Sequence, residues 1–354
     1  MGKEDAGVTI EKIFREQVKK DPKVKNAYLL VHSDGAGIHT NIAEGATGSV
    51  PAHPEQPNYM ASVGKLFTST LTGILFEKGK LSFDDCIAEY LDHELLDNLH
   101  VYKGKDYSSE IKISHLLNQT SGLPDNFSPL LDKLLEDREL SMTPREAIVW
   151  AKNNFKPHFS PGGGFKYTDT NYHLLGLIIE KITGQPFHAA LQEFFFEPLD
   201  MKHSYMLQYS EPMEKSPYPV ADFFIRETRL NDIKGYASLD YSGGGVVAPT
   251  GDLLKFMQAL AEYRIVTKDT LDIMKKDRAK MGLGIYYGYG IWQFTTVPLL
   301  MPKKFNSWGV AGITGAFMFY HPEKDAYLIG NFNDSSYERK GLRFILFNVI
   351  SKLY

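Results

Sequence analysis

Apolar residues at Val8, Ile10, Ile13, Phe14 and Val18, with lysine and glutamate between them, predict an amphipathic helix over residues 8–20. The stretch NAYLLVHSDGAGIHTNIAEG then switches to short strand-like runs on either side of a glycine-containing turn, which predicts a hairpin. Residues 60–85, MASVGKLFTSTLTGILFEKGKLSFDD, return to helical spacing, and Gly79 closes that helix. Between 83 and 235 the pattern breaks into short helices separated by turn clusters such as SGLPDNFSP and FSPGGGFKY. From YSGGGVVAPTGDLLKFMQAL onward it gives a helix, then strands that include AFMFYHP and AYLIGNFN, and a last helix at KGLRFILFNVISKLY.

This order predicts a discontinuous α/β lobe from residues 1–82 and 236–354, with a helical lobe, 83–235, inserted between them. A chain of 354 residues exceeds the size at which one core usually stops growing, so two lobes are expected on length as well. Residues 205–235 form a long irregular stretch rich in Tyr and Phe, with Arg226, Arg229 and Lys234. Loops of that length are uncommon without a function, so a lid over a site is expected there.

Composition narrows the function classes. A formal net charge of −4 gives no electrostatic argument for nucleic acid or for an anionic membrane. Cys86 is the single cysteine, which excludes an intramolecular disulfide and a thiolate metal cluster and leaves a small packed side chain as its reading. The start, MGKEDAGVTIEKIFREQ, carries no apolar leader, and no run of about 18 apolar residues occurs. A cytoplasmic location is expected as the sequence stands, or a secreted or cell-envelope one if a leader was removed.

The candidate chemistry lies at the mouth of the 60s helix. A serine in a first helical turn sits near unsatisfied N–H groups and the positive end of the helix dipole, which favours developing negative charge. A lysine three residues on shares its face. Ser62 and Lys65 have this spacing, and a lysine whose amine is desolvated or beside another cation can take the serine proton. Spacing alone also fits a helix cap and a solvated charge, and SEIK, Ser109 to Lys112, repeats it with nothing else to suggest a site. No G-x-S-x-G elbow, H-E-x-x-H pair, P-loop or dinucleotide fingerprint is present. His115 and His173 fall in helical or turn contexts that suit packed or surface histidines, so no metal site is expected.

The company of Ser62 adds specificity. ASVGK, GILFEKGKLSFDD, ISHLLNQTSGLPD, PGGGFKYTDTNYHLLGLIIEKITGQPF, YSGGGVVAPTGDLLKFMQAL and GVAGITGAFMFYHPEKDAYLIGNFN together resemble, in order, the serine β-lactamase and penicillin-binding-protein-like family. The likeness is to its class C, D-alanyl-D-alanine carboxypeptidase and family VIII esterase branch and covers about residues 20 to 350. It implies a β-lactamase/transpeptidase-like fold, α/β plus all-α, in which an antiparallel sheet is flanked by helices.

The resemblance implies roles residue by residue. In Ser-x-x-Lys, Ser62 would be the acylated nucleophile and Lys65 its proton partner. Tyr167, in YTD, falls on the tyrosine of Tyr-x-Asn and would move the proton to the leaving group. Val310-Ala311-Gly312 falls on the Lys- or His-x-Gly motif, and the N–H groups of Ser62 and Ile313 would form the oxyanion hole. Two positions depart from the pattern. Asp169 stands where asparagine is usual. A carboxylate about 4 Å from Lys65 would hold the amine charged by roughly 4 kcal/mol at an effective dielectric near 20, shifting the base role to Tyr167 or to Asp169 through Lys65. Val310 replaces a cation that would hold a substrate carboxylate; losing such a bond, worth about 1.5 to 3 kcal/mol, disfavours anionic substrates by roughly one to two orders of magnitude. A cation of the 205–235 stretch is a possible substitute, and Trp308, two positions upstream, is a candidate pocket-lining residue.

Three readings follow. The leading one is a serine hydrolase on small uncharged esters or amides. The second is the same chemistry on D-Ala-D-Ala peptides or β-lactams, and the third a catalytically weak homologue that binds a ligand. No cofactor is implied, since serine, lysine, tyrosine and the oxyanion donors suffice for acyl transfer. The partner expected is a small ester, amide or peptide-like molecule.

Overall fold

The computed structural model describes residues 3–354. Helix α1 (Lys3–Lys20) leads into strands β1 (Asn26–Ser33), β2 (Ile38–Thr47) and β3 (Val50–Pro51). A 3-10 turn, Ala61–Val63, opens helix α2 (Gly64–Glu77). The middle of the chain carries helices including α3 (Asp169–Thr183), and α4 (Thr250–Ala261) returns to the sheet. Strands β4 (Ala279–Gly282), β5 (Ile285–Tyr287), β6 (Trp292–Phe294), β7 (Ser307–Ala311), β8 (Phe317–His321) and β9 (Ala326–Asn331) follow, and α5 (Glu338–Phe344) begins the C-terminal helical segment. The large sheet has the order β4-β5-β6-β7-β8-β9-β1-β2-β3, with each neighbouring pair antiparallel.

Strand periodicity decides which side chains meet which layer. In β1, Ala27, Leu29 and Val31 join Ile10, Phe14 and Val18 of α1, whereas Leu30 points to the opposite core with Leu66, Phe67 and Leu71 of α2. The same alternation sends Phe317 and Phe319 of β8 to the α1 side and Met318 to the α2 side. In β7 it turns Ala311 toward α1, and Trp308 and Val310 toward α2. Helix α2 is buried on all sides from Gly64 to Leu75, so it is a central strut between sheet and helices rather than a surface amphipath. Each of its large apolar side chains contributes roughly 1.5–3 kcal/mol by leaving water. Gly79, at φ 64°, ends it where the sequence places the stop: its N–H bonds Phe76 O at 2.9 Å, and that of Lys80 bonds Leu75 O at 2.9 Å.

Within the 205–235 stretch, residues 223–233 are packed and paired. Phe223, Ile225, Leu230 and Ile233 enter a core with Tyr59, Ala61 and Tyr236, and the Phe223 ring stacks on Tyr59 at 4.5 Å. A short hairpin, 224–225 with 228–229, is tied down by ion pairs from Arg226 to Asp132 and from Arg229 to Asp222 and Asp232. Aromatic residues of the stretch such as Phe223 are thus spent on packing. Two of its four cations, Arg226 and Arg229, are paired with carboxylates.

Candidate active site

Two short pieces of backbone set the position of Ser62. Ala61, buried and at φ 48°, lies in the left-handed region that a residue with a Cβ seldom adopts, so the turn presenting Ser62 is strained. Gly64, two residues on, presses on the Gly243–Gly245 loop so closely that a Cβ there would overlap Gly244 O. The absence of a side chain at Gly64 lets this loop reach the first turn of α2.

Lys65, with no exposed surface, is enclosed by that arrangement. Its Nζ donates to Ser62 Oγ at 3.1 Å and to the Gly243 carbonyl at 2.6 Å, and it forms an ion pair with Asp169 Oδ1. The three donors of an ammonium therefore have three acceptors. The ring centroids of Tyr167 and Tyr172 lie 5.1 and 5.4 Å from Nζ and add favourable cation–π faces.

Asp169 is the first residue of α3, after Thr168, whose hydroxyl accepts the Thr170 N–H. Asp125 fixes this turn by accepting the Asp169 N–H at 3.0 Å and the Thr168 hydroxyl at 3.3 Å. Burial pushes the Asp169 carboxyl up to about 6; the Lys65 ammonium pulls it down, while the charge of Asp125 adds to the rise. Burial likewise raises the Tyr167 phenol well above its ordinary value, with the Asp169 charge acting in the same direction and a hydrogen bond with Ser62 opposing both. Tyr167 therefore rests as a phenol. One turn into α3, burial first and Lys65 second lower His173 to about 4, so it is a neutral packed histidine, with Nδ1 2.9 Å from Asn126 Nδ2.

Strand β7 closes the other side. Its pairing with β6 runs from Ser307 to Gly309, and Val310 and Ala311 continue beyond it. The turn after β7 is held by Gly312 N–H to Ala316 O at 2.8 Å and Gly315 N–H to Gly312 O at 3.1 Å. A Cβ on Gly312 would stand 3.2 Å from Ser62 N, so this turn lies directly against the serine, with Ile313 next to it. Val310 is 1% exposed and packs into the core that includes Val63 and Leu66. Trp308 is buried on the same face, its ring 5.6 Å from that of Tyr320 and beneath Lys275 Nζ at 5.6 Å. The pocket-lining expectation for Trp308 thus meets a residue packed in the core on the α2 side of the sheet.

Sequence reasoning brought together Ser62, Lys65, Tyr167, Asp169 and the Gly312–Ile313 turn, and these residues do converge. It assigned nothing to Gly243, whose carbonyl holds Lys65, or to Asp125, which sets the Asp169 turn. The signal for the first was the run of three glycines at 243–245, since a close backbone approach needs residues without side chains. Asp125, in the LPD turn, had no signal beyond turn chemistry.

A family model described as Beta-lactamase matches residues 10–345. A Bacillus subtilis (strain 168) penicillin-binding protein is 26% identical over 304 residues, covering 81% of this chain and 64% of that protein. The chain spans 38% to 66% of the length of the first curated relatives it matches. Among solved structures, the D-amino acid amidase of Ochrobactrum anthropi SV3 in complex with L-phenylalanine amide superposes with a TM-score of 0.79 at 21% identity, covering 99% of this chain and 98% of that one. EstCE1, a hydrolase with promiscuous acyltransferase activity, does so with a TM-score of 0.79 at 18% identity and 99% coverage of both chains. These structural likenesses concern the fold. With a family match across almost the whole chain and a β-lactamase/transpeptidase-like fold, the protein belongs to the beta-lactamase family.

Proposed function

We propose that this protein is a serine hydrolase that forms an acyl-enzyme on Ser62 and acts on small uncharged esters or amides. The observation that carries the reading is the position of Lys65, buried between Ser62 Oγ and the Asp169 carboxylate. An ammonium there cannot itself accept a proton, but it can pass one on. As Ser62 Oγ attacks the substrate carbonyl, Lys65 gives a proton to Asp169 and takes the one leaving Ser62. A carboxyl raised to about 6 is a better proton acceptor than an ordinary one, which suits Asp169 to this end of the relay.

The negative charge on the carbonyl oxygen falls between the N–H groups of Ser62 and Ile313, donors of the kind whose loss typically costs 10²–10³ in kcat. When the intermediate collapses, the Tyr167 phenol protonates the departing alcohol or amine. Lys65 resupplies Tyr167, and Asp169 returns its proton to Lys65. Water then attacks the acyl-enzyme with the same groups in reversed roles, and Ser62 regains its proton.

The uncharged substrate class rests on Val310. Its buried aliphatic side chain offers nothing to a carboxylate, and Arg226 and Arg229 are already paired. The amidase and esterase among the similar structures are compatible with this class. The test is parallel turnover of a short-chain p-nitrophenyl ester, an amino-acid anilide and benzylpenicillin. Turnover of the first or second, with penicillin slower by at least about tenfold, is expected; penicillin as the preferred substrate would overturn the assignment.

A further inference from the structure

From Arg278 to Pro322 the chain has no aspartate or glutamate, yet it carries Arg278, Lys280, Lys303 and Lys304, in a protein whose formal net charge is −4. The most exposed leucines lie in the same segment. Leu299 is 104% exposed, Leu300 71% and Leu283 61%. Single exposed apolar residues are ordinary, but three together within a cationic stretch are not.

Their display is built by the backbone. Val297 and Met301 exchange N–H···O bonds of 2.9 and 2.8 Å, and the Leu300 N–H bonds Val297 O at 3.1 Å, which makes a tight tip of Pro298, Leu299 and Leu300. Leu299 takes φ 66°, a left-handed conformation unfavourable for a leucine, and the burial of its own side chain does nothing to offset it. Gly284 lies against the side chains of Val297 and Met301, and this brings Leu283, in the turn between β4 and β5, beside the tip. At the base, Lys280 is exposed, Lys303 Nζ is 3.9 Å from Glu323 with its side chain 79% exposed, and Lys304 Nζ lies 5.2 Å over the Phe305 ring.

We propose that this tip is a membrane-docking element: Leu283, Leu299 and Leu300 enter the acyl boundary of a bilayer while Lys280, Lys303 and Lys304 meet anionic headgroups. The charge pattern selects that occupant. A second copy of this chain docked tip to tip would bring lysines against lysines, whereas an anionic bilayer offers an apolar interior beneath a negative surface. Attachment of this kind needs no spanning segment, and no helix among the described residues is long and apolar enough to cross a membrane.

The test is co-sedimentation of the full chain with phosphatidylcholine vesicles and with vesicles of phosphatidylcholine mixed with phosphatidylglycerol, at low and at physiological salt. Binding to the mixed vesicles, weakened by salt, is expected. Lys303→Glu with Lys304→Glu, and separately Leu299→Ser with Leu300→Ser, should each lower the affinity by about tenfold or more, with ester turnover unchanged. Equal binding to both vesicle types, no binding to either, or variants that bind as the wild type does would overturn the proposal. So would light scattering in which the same substitutions dissolve a dimer, because the tip would then serve a second copy.

Discussion

Lys65 of α2 and Asp169 of α3 form an ion pair closed to solvent, and the same ammonium reaches Ser62 Oγ at 3.1 Å. With its other donor on Gly243 O at 2.6 Å, Lys65 spends all three protons on acceptors. Ser62 Oγ accepts from Lys65 and also shares a hydrogen bond with the phenol of Tyr167. Removing one partner of a buried pair leaves the other uncompensated, at a cost of about 3–5 kcal/mol. Asp169 is thus tied to the fold as well as to the proton path.

The pH dependence of acylation follows from Asp169. Its carboxyl must be ionised to accept the relayed proton, and burial places it at about 6, so the rate should fall as pH drops through that value. Asp169→Asn keeps the shape and removes the titration. Its acidic limb should flatten or move, and its rate at pH 8 should drop about 10- to 100-fold. A variant with the wild-type profile would place the proton acceptor elsewhere.

Val310 offers a direct test of substrate charge. Its side chain sits in the α2-side core, so Val310→Lys should lower the melting temperature unless the ammonium emerges beside Ser62. If the missing cation is what limits β-lactams, acylation by benzylpenicillin should rise by about one to two orders of magnitude, measured by stopped-flow or intact mass. A destabilised variant with unchanged penicillin reactivity would show that this position does not govern anionic substrates.

Asp240 should make stability depend on pH. It is buried beneath Gly244, its Oδ2 has no hydrogen-bond partner among the described residues, and burial lifts its carboxyl to about 7, with only the Gly245 N–H pulling the other way. A carboxyl higher in the folded than in the unfolded chain gives stability that is full below the unfolded value and is lost as pH rises through the folded one. Between about pH 4 and 7 the wild type should therefore weaken. Asp240→Asn should remove the part of that slope that Asp240 contributes and be more stable at pH 8 by roughly 1–3 kcal/mol in urea unfolding. Parallel curves for the two proteins would contradict this.

The sequence made some of these features readable and hid others for physical reasons. The period of α1 was legible because it buries one regular set of side chains, and the β1–β2 hairpin and α2 were legible from their turn and stop glycines and apolar runs. The Ser-x-x-Lys spacing gave a serine and a lysine on one helical face, but SEIK has the same spacing, and Lys112 there pairs with Asp84 at an exposed site. Only packing separates the two. Asp169 could be flagged as a departure, yet its contact with Lys65 depends on how α3 docks on α2, over 100 residues away in sequence. Gly243 lies in a run of three glycines that marks a close backbone approach, but which group its carbonyl would hold leaves no mark in residue type. The packing of Phe223 in the 205–235 stretch was hidden for a related reason: it buries against Tyr59 and Tyr236, partners that no local pattern reveals.

The central claim is that Ser62 is the nucleophile. Intact-protein mass after incubation with a fluorophosphonate, and after brief mixing with a short-chain p-nitrophenyl ester, tests it most directly when wild type and Ser62→Ala are compared. One phosphonyl adduct and a transient acyl adduct on the wild type, both absent from a folded Ser62→Ala protein, are expected. Equal labelling of Ser62→Ala, or ester turnover retained in it, would contradict the account.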